Sequence, residues 1–402
     1  MHKGVDMTIR VLMVTPQYYP YLGGFEKQAH TLGKQLARLG VGVSVVTRLH
    51  DPALPRYEEL EGVTIHRLRS IDAKFGRGCS FTLSLAWFLL ANRHRYDVIH
   101  VHTFGWYLLG VTPIAKLLRA PTILKLPNVG DCGLPGIRRR RGGAILMQLV
   151  KLANAFVAMS NESIDELRGE GIDDSRILRN TNGVDSAVFK PIISDSEKDA
   201  LRKKHGLPDG KIVLFTGRLT PQKGLADLLS IWSQVLKEVP SAQLVLCGGG
   251  EQEYELRQLA CHCGIERTVH FVGSVESTVD YYRAADLLAQ PSYIEGNSNS
   301  ILEAMACGLP IVSTEVGGTP QLVGKAGREY LVTPGDQQAL LVKLLIILKD
   351  PDKASDLGHS FRERTSNVLS IEVVARHYLE CYRLLIAKEF HTADCLGDPL
   401  SK

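Results

Sequence analysis

Lys211-Ile-Val-Leu-Phe-Thr-Gly-Arg-Leu-Thr-Pro-Gln-Lys-Gly224 opens the second half of the chain and is followed by the amphipathic run Leu225 to Val239. Ile212 to Phe215 is short and apolar, the pattern of a strand buried on both faces. Gly217 and Pro221 mark a turn, and a helix is expected over about 223–239. The same unit recurs on either side. Downstream come Leu244–Leu246, Val269–Val272, Leu287–Ala289, Ile311–Val312 and Tyr330–Val332. Upstream, Ile9–Val14 leads through Thr15-Pro16 and Gly23-Gly24 into a helix over about Phe25–Leu39, which Gly40 closes. Val41–Thr47, Val63–Leu68, Val98–Val101, Thr122–Leu126 and Phe156–Ala158 follow. Strands alternating with helices make right-handed βαβ units and parallel sheets. Pro191 to Gly210 is polar, charged and punctuated by proline and glycine, a linker composition. The expectation is an α/β protein with two doubly wound, Rossmann-like parallel-sheet domains, residues 1–190 and 211–370, joined by a linker over 191–210. Beyond Pro351 the pattern is helical to about Lys388.

The 402 residues are 45% apolar and 22% charged, which excludes a disordered or fibrous chain and suffices for two cores. The net charge of +4 conceals an asymmetry: residues 1–190 hold 25 Lys and Arg against 16 Asp and Glu, whereas residues 191–402 hold 22 against 27. An anionic partner is expected for the first half. Eight scattered cysteines form no disulfide framework, and Cys261-His-Cys263 lacks a second ligand pair at zinc spacing. No apolar run nears the roughly 20 residues of a membrane span. Ile9–Val14 is too short for a secretion signal, so a cytoplasmic protein is expected. No aromatic-basic interleaving points to nucleic acid.

Ligands of open α/β sheets bind beyond the carboxyl ends of the strands. Glycines collect there: Gly23-Gly24, Gly217, Gly248-Gly249-Gly250, Gly273, Gly296 and Gly317-Gly318. No P-loop pattern occurs, and Glu253 breaks the dinucleotide fingerprint that would start at Gly248. The most specific segment is Pro291-Ser-Tyr-Ile-Glu-Gly-Asn-Ser-Asn-Ser-Ile-Leu-Glu-Ala-Met-Ala-Cys-Gly-Leu-Pro310. It places Glu295 in a loop and Glu303 in the second turn of a helix that starts near Ser298. Carboxylates accept hydrogen bonds from sugar hydroxyls, and free amides at a helix start bind phosphate. A diphosphate between two hydroxyl-bearing rings, as in a nucleotide sugar, fits that layout. Arg218 and Lys223 supply two cations beside it. With roughly half a charge from the helix end, they match what a magnesium ion would bring, so no metal is expected.

Several motifs together resemble the retaining GT-B glycosyltransferases of the large family-four, group 1 type, which includes sucrose synthase and many bacterial polysaccharide and lipopolysaccharide transferases. They are Pro16-x-x-Tyr-Pro20-x-x-Gly-Gly24-x-Glu26, Asp97-Val-Ile-His-Val-His102, Asn182-Gly-Val-Asp185, Gly217-Arg218 with Lys223-Gly224, and the glutamate pair followed by Gly308-Leu-Pro310. The resemblance implies a central cleft with the acceptor on the first domain and the donor on the second. It makes Glu303 the ribose ligand, Glu295 the carboxylate facing the transferred sugar, and Arg218 and Lys223 the diphosphate clamp. Asn297, Ser298 and Asn299 would contact sugar and phosphates, and Gly249 and Val272 would lie beside the base. Gly23 and Gly24 would approach the donor from the first domain, where His102 is a candidate acceptor-side residue. Transfer with retention and without metal, and a last helix over about 371–388 crossing back to the first domain, are also implied. Many relatives carry His-Gly after the strand matching Thr122–Leu126; here the loop is Pro127-Asn-Val-Gly-Asp131.

Arg138-Arg-Arg-Arg141 precedes the apolar run Gly142 to Ala153, and Phe81–Leu90, containing Trp87, is flanked by Arg77 and Arg93. Basic residues beside amphipathic helices suit an anionic membrane surface. The expected activity is glycosyl transfer from a UDP- or GDP-sugar to a saccharide or lipid-linked acceptor in polysaccharide, glycolipid or envelope-glycan synthesis. A sugar-nucleotide epimerase or phosphorylase, or an inactive transferase-like binding protein, are the alternatives.

Overall fold

Fourteen short strands, twelve of them at the expected apolar runs, form in a computed structural model that describes residues 8–21, 23–71, 76–126 and 128–390, with only the backbone of 76 and 77. Arg77, as a side chain, and Pro127 therefore lie outside the described residues. Two sheets form. The first holds β1 (Arg10–Val14), β2 (Gly42–Arg48), β3 (Tyr57–Leu60), β4 (Val63–Leu68), β5 (Val98–Val101), β6 (Thr122–Lys125), β7 (Ala155–Ala158) and β8 (Ile177–Arg179). Its order is β3-β4-β2-β1-β5-β6-β7-β8. The second holds β9 (Lys211–Thr216), β10 (Ala242–Cys247), β11 (Val269–Gly273), β12 (Leu287–Gln290), β13 (Ile311–Thr314) and β14 (Leu331–Val332), in the order β11-β10-β9-β12-β13-β14. Both sheets are parallel apart from the β3–β4 hairpin. That hairpin turns through Glu61 and Gly62, whose φ angles of 50° and 82° match the positive values a two-residue turn requires. Its edge strand, Tyr-Glu-Glu-Leu, carries no apolar run and was not expected from the sequence.

The expected boundaries at 190 and 210 are corrected. The chain divides into Met1–Gly183 with Ile371–Lys402, and Val184–Ser370. Inside the expected linker lies the helix Asp195–Lys204, whose cap, Ser194, accepts from the Glu197 N–H. Four of its charged residues, Glu197, Lys198, Arg202 and Lys204, form ion pairs with the rest of the unit. Lys198 and Arg202 bind the two oxygens of Asp286 at 2.6 and 2.8 Å, and the Ile212 N–H donates to the same carboxylate at 2.7 Å. The segment therefore packs as part of the second unit. The last helix, Ile371–Ala387, belongs to the first unit, where Val374, Tyr378 and Tyr382 join Val11, Met13 and Val98 in one core. Among the described residues no helix is long and apolar enough to cross a membrane.

Gly183 explains part of the Asn182-Gly-Val-Asp185 motif. The Gln28 amide donates to its carbonyl at 3.0 Å and accepts from its N–H at 3.2 Å. A Cβ there would stand 2.8 Å from Ile371 Cα, so only glycine lets the outgoing and returning chain pass this closely.

At the carboxyl edge of the first sheet, three titratable side chains are buried together. His100 and His102 stack with ring centroids 4.1 Å apart, and His100 Nδ1 meets the Tyr382 hydroxyl at 2.7 Å. Burial, with Lys125 nearby, holds both imidazoles well below their usual pKa and therefore neutral. Lys125, the last residue of β6, donates to Asn182 Oδ1 at 2.6 Å, and its burial pulls its pKa down to about 7. An unfolded lysine titrates near 10.4. Between these values the unfolded chain holds the extra proton, so stability rises with pH, by at most about 1.4 kcal/mol per unit. Replacing Lys125→Met removes that term. Urea unfolding of both proteins from pH 7 to 9 is expected to show their difference moving in favour of the unsubstituted chain; a pH-independent difference would contradict the burial of the ammonium.

Candidate functional site

Three adjacent strands of the second sheet end in polar residues: Thr216 on β9, Gln290 on β12, and Ser313 and Thr314 on β13. Ser313 Oγ donates to the Gln290 carbonyl at 2.8 Å, and Thr314 Oγ1 to the Ser292 carbonyl at 2.5 Å. These bonds tie the loop after β12 to its neighbour. Two glycines then bring further loops against it. Gly224 has φ +65°, and a Cβ on it would lie 2.0 Å from the Pro291 carbonyl oxygen. Gly317 has φ +51°, and its Cβ would lie 2.0 Å from the Glu295 carbonyl oxygen. Neither position tolerates a side chain without moving backbone.

This packing places Lys223 Nζ 2.6 Å from Glu295 Oε1, an ion pair whose side chains are 18% and 10% exposed. The same oxygen accepts from Ser292 Oγ at 2.8 Å and from Gln290 Nε2 at 3.2 Å. Lys223 and Glu295, expected to address diphosphate and sugar separately, thus face each other directly. Arg218 lies five residues before Lys223 and is exposed, with no ion pair among the described residues. Leu219 N–H donates to the Gly249 carbonyl at 2.9 Å, which brings the Gly248–Gly250 turn beside Arg218.

Glu303 is buried in the helix Asn299–Ala306, and its Oε2 accepts from Thr278 Oγ1 at 3.2 Å. Tyr282 shares this region. Its hydroxyl meets Thr216 Oγ1 at 2.5 Å, and burial and the Glu303 charge raise its pKa well above the usual phenol value. Ser300 Oγ donates to the Thr216 carbonyl at 2.8 Å, which anchors the first helical turn to the end of β9. Ser298 is the cap position, and its side chain makes no capping bond to the first-turn amides. Asn297 and Ser298 are buried beside it. Val272 is the extra residue of a bulge, skipped where Leu246 pairs with Phe271 and Cys247 with Gly273.

Arg218, Lys223, Gly249, Val272, Glu295, Asn297, Ser298, Asn299 and Glu303 therefore all lie at the carboxyl edge of the second sheet. The other expected residues belong to the first unit. Gly23 caps the helix Gly24–Arg38 with no side-chain bond, and His102 follows β5, its N–H donating to the Val14 carbonyl at 3.1 Å. His102 Nε2 is buried with no hydrogen-bond partner among the described residues. Sequence reasoning missed Thr278, Gln290 and Ser292, which hold the two carboxylates. For Gln290 and Ser292 a signal was present: a polar residue closing the apolar run Leu-Leu-Ala, with a serine two positions on. It left Lys125 without a role.

The family model "Glycosyl transferases group 1" matches residues 197–364, and "Glycosyltransferase Family 4" matches residues 22–188. An uncharacterized glycosyltransferase of Methanocaldococcus jannaschii is 29% identical over 94% of this chain and 98% of its own. D-inositol 3-phosphate glycosyltransferase of Xylanimonas cellulosilytica is 31% identical over 85% of this chain and 87% of its own. Among solved structures, Anabaena HepE in complex with UDP-glucose superposes with a TM-score of 0.77 at 22% identity, over 92% of this chain and 98% of that one. Matched along both units by family models, by relatives of nearly its full length and by the same two-sheet architecture, the chain belongs to the GT-B group 1 glycosyltransferases.

Proposed function

We propose that this glycosyltransferase takes a UDP- or GDP-type sugar and transfers its glycosyl group, with retention, to a saccharide or lipid-linked acceptor in the synthesis of a polysaccharide, glycolipid or envelope glycan. The observation that carries the reading is the convergence of Lys223, Glu295, the start of the helix Asn299–Ala306 and the buried Glu303 at one strand edge. The UDP-glucose complex of Anabaena HepE, which shares the fold, supports a nucleotide-sugar donor.

In this reading the diphosphate lies between Arg218, Lys223 and the first-turn amides near Ser298 and Asn299. Glu303 accepts from the ribose hydroxyls, and Gly249 and Val272 flank the base. A phosphate oxygen displaces Glu295 as the partner of Lys223 and frees that carboxylate to accept from a sugar hydroxyl. The bond between the anomeric carbon and the phosphate oxygen breaks while the acceptor oxygen bonds that carbon on the same face. The acceptor proton passes to the departing phosphate. Arg218 and Lys223 compensate the charge growing there, so the residues themselves supply what a metal would. On the acceptor side, His102 is held neutral by its burial. Gly23 and Gly24 lie at a helix start without a side-chain cap.

Losing one charge-assisted contact costs about 1.5–3 kcal/mol. Arg218→Ala is thus expected to lower turnover about ten- to hundred-fold in a radiolabelled-sugar assay; unchanged turnover would remove Arg218 from the leaving-group site. Proton NMR of the freshly formed product is expected to show the anomeric configuration of the donor, and the inverted anomer would contradict same-face attack.

A further inference from the structure

We propose that the outer face of the helical layer on the first sheet is a docking surface for a membrane leaflet carrying anionic phospholipid. The layer comprises the helices Gly76–Ala91, Thr112–Leu117, Leu134–Arg139 and Gly143–Lys151 and the single turn Trp106–Gly110. Their inner sides, among them Phe81, Leu85, Leu108 and Leu146, enter one core cluster under the sheet. Their outer sides are also apolar. Leu83 and Trp87, one turn apart, are each 72% exposed, and Ile145 is 59% exposed. Trp106 and Leu109 add nearly half-exposed surface between them. Because the opposite faces of these helices are buried in one core, the exposed side chains share one outward surface.

The charge on these helices is mainly positive, and Glu170 meets Arg138 and Lys151 at one border, at 2.7 and 3.5 Å. Residues 76–160 contain 11 Lys and Arg but only two acidic residues, Asp97 and Asp131. Both are occupied: Asp97 binds Arg10 at 2.7 Å, and Asp131 pairs with Arg139. Arg140 and Arg141 are exposed and make no ion pair among the described residues. They adjoin the apolar surface directly, because a Cβ on the next residue, Gly142, would stand 2.6 Å from the Trp106 ring. Tryptophan and leucine protruding beside unpaired arginines match the interfacial zone of an anionic bilayer, where the ring is half-buried and the guanidinium meets phosphate. A second copy of the chain fits less well, since a two-fold contact through this face would set arginine against arginine. The inference rests on this surface alone and stands or falls separately from the donor reading; it adds a place where a lipid-linked acceptor is met.

Flotation of the full chain with vesicles of phosphatidylcholine, alone or mixed with phosphatidylglycerol, tests it. Recovery is expected with the mixed vesicles in low salt, and loss in high salt or without the anionic lipid. Arg140→Ser with Arg141→Ser is expected to lower the partition coefficient about 25-fold, at about five-fold per cation. Leu83→Ser with Trp87→Ser is expected to abolish flotation, while Tyr254→Ser, an equally exposed aromatic of the second unit, leaves it unchanged. Of the three tryptophans, Trp232 is fully buried in the second unit, so a blue shift and quenching by brominated lipid report Trp87 and Trp106. No flotation with anionic vesicles, equal flotation of all variants, or a dimer in sedimentation that Trp87→Ser dissociates would overturn the proposal.

Discussion

Lys223 and Glu295 meet at 2.6 Å only because the backbone at Gly224 and Gly317 lets two loops press onto the loop that follows β12. That contact organises the carboxyl edge of the second sheet. Around it, Gln290 and Ser292 hold the carboxylate from below, and the helix Asn299–Ala306 begins four residues later. On the proposed reading, this largely buried pair of opposite charges reserves a place for an anion. A phosphate group can take the position of the carboxylate beside the ammonium without creating an unpaired cation, and the carboxylate then turns to a hydroxyl. On that reading, one ion pair preserves the site when it is empty and divides into two binding elements when it is filled.

Much of this edge was legible in the amino-acid sequence because the elements that build it are local. Strand, glycine turn and helix succeed one another within residues 211–239 and again within 287–308, and the apolar runs and glycines mark each step. What stayed hidden was set by long-range partners. Glu295 and Lys223 are 72 residues apart, and neither residue announces that it faces the other. Thr278 is an ordinary polar residue in a connection until the fold lays it against Glu303. The charged stretch Asp195–Lys204 has a linker's composition, yet Asp286, more than 80 residues on, turns its cations into structure. The strand Tyr57–Leu60 escaped for the converse reason, since an edge strand needs no apolar run.

The first unit shows how misleading a net charge can be until it is placed. Part of its excess of basic residues is neutralised at the sheet edges, where Arg10 meets Asp97 and Lys34 meets Glu61. One cation, Lys125, is buried against an amide with its charge disfavoured by desolvation. Others gather on the outer side of one helical layer, where Arg138 meets Glu170 and Arg139 meets Asp131, while Arg140 and Arg141 have no ion pair among the described residues. Buried neutral imidazoles at the strand ends and uncompensated arginines on the outer layer are two separate chemistries. From the sequence, the whole excess of basic residues reads as one signal of an anionic partner.

The central claim, that the second unit grips a nucleoside diphosphate through Arg218, Lys223 and Glu303, is tested most directly by isothermal titration of the whole chain with UDP, GDP and their sugar conjugates. The account predicts saturable binding of one base's diphosphate and of its sugar conjugate, weakened about ten-fold or more by Glu303→Ala, which removes charge-assisted bonds to the ribose. Absence of binding by every member of that panel, or an affinity indifferent to Glu303, would contradict it.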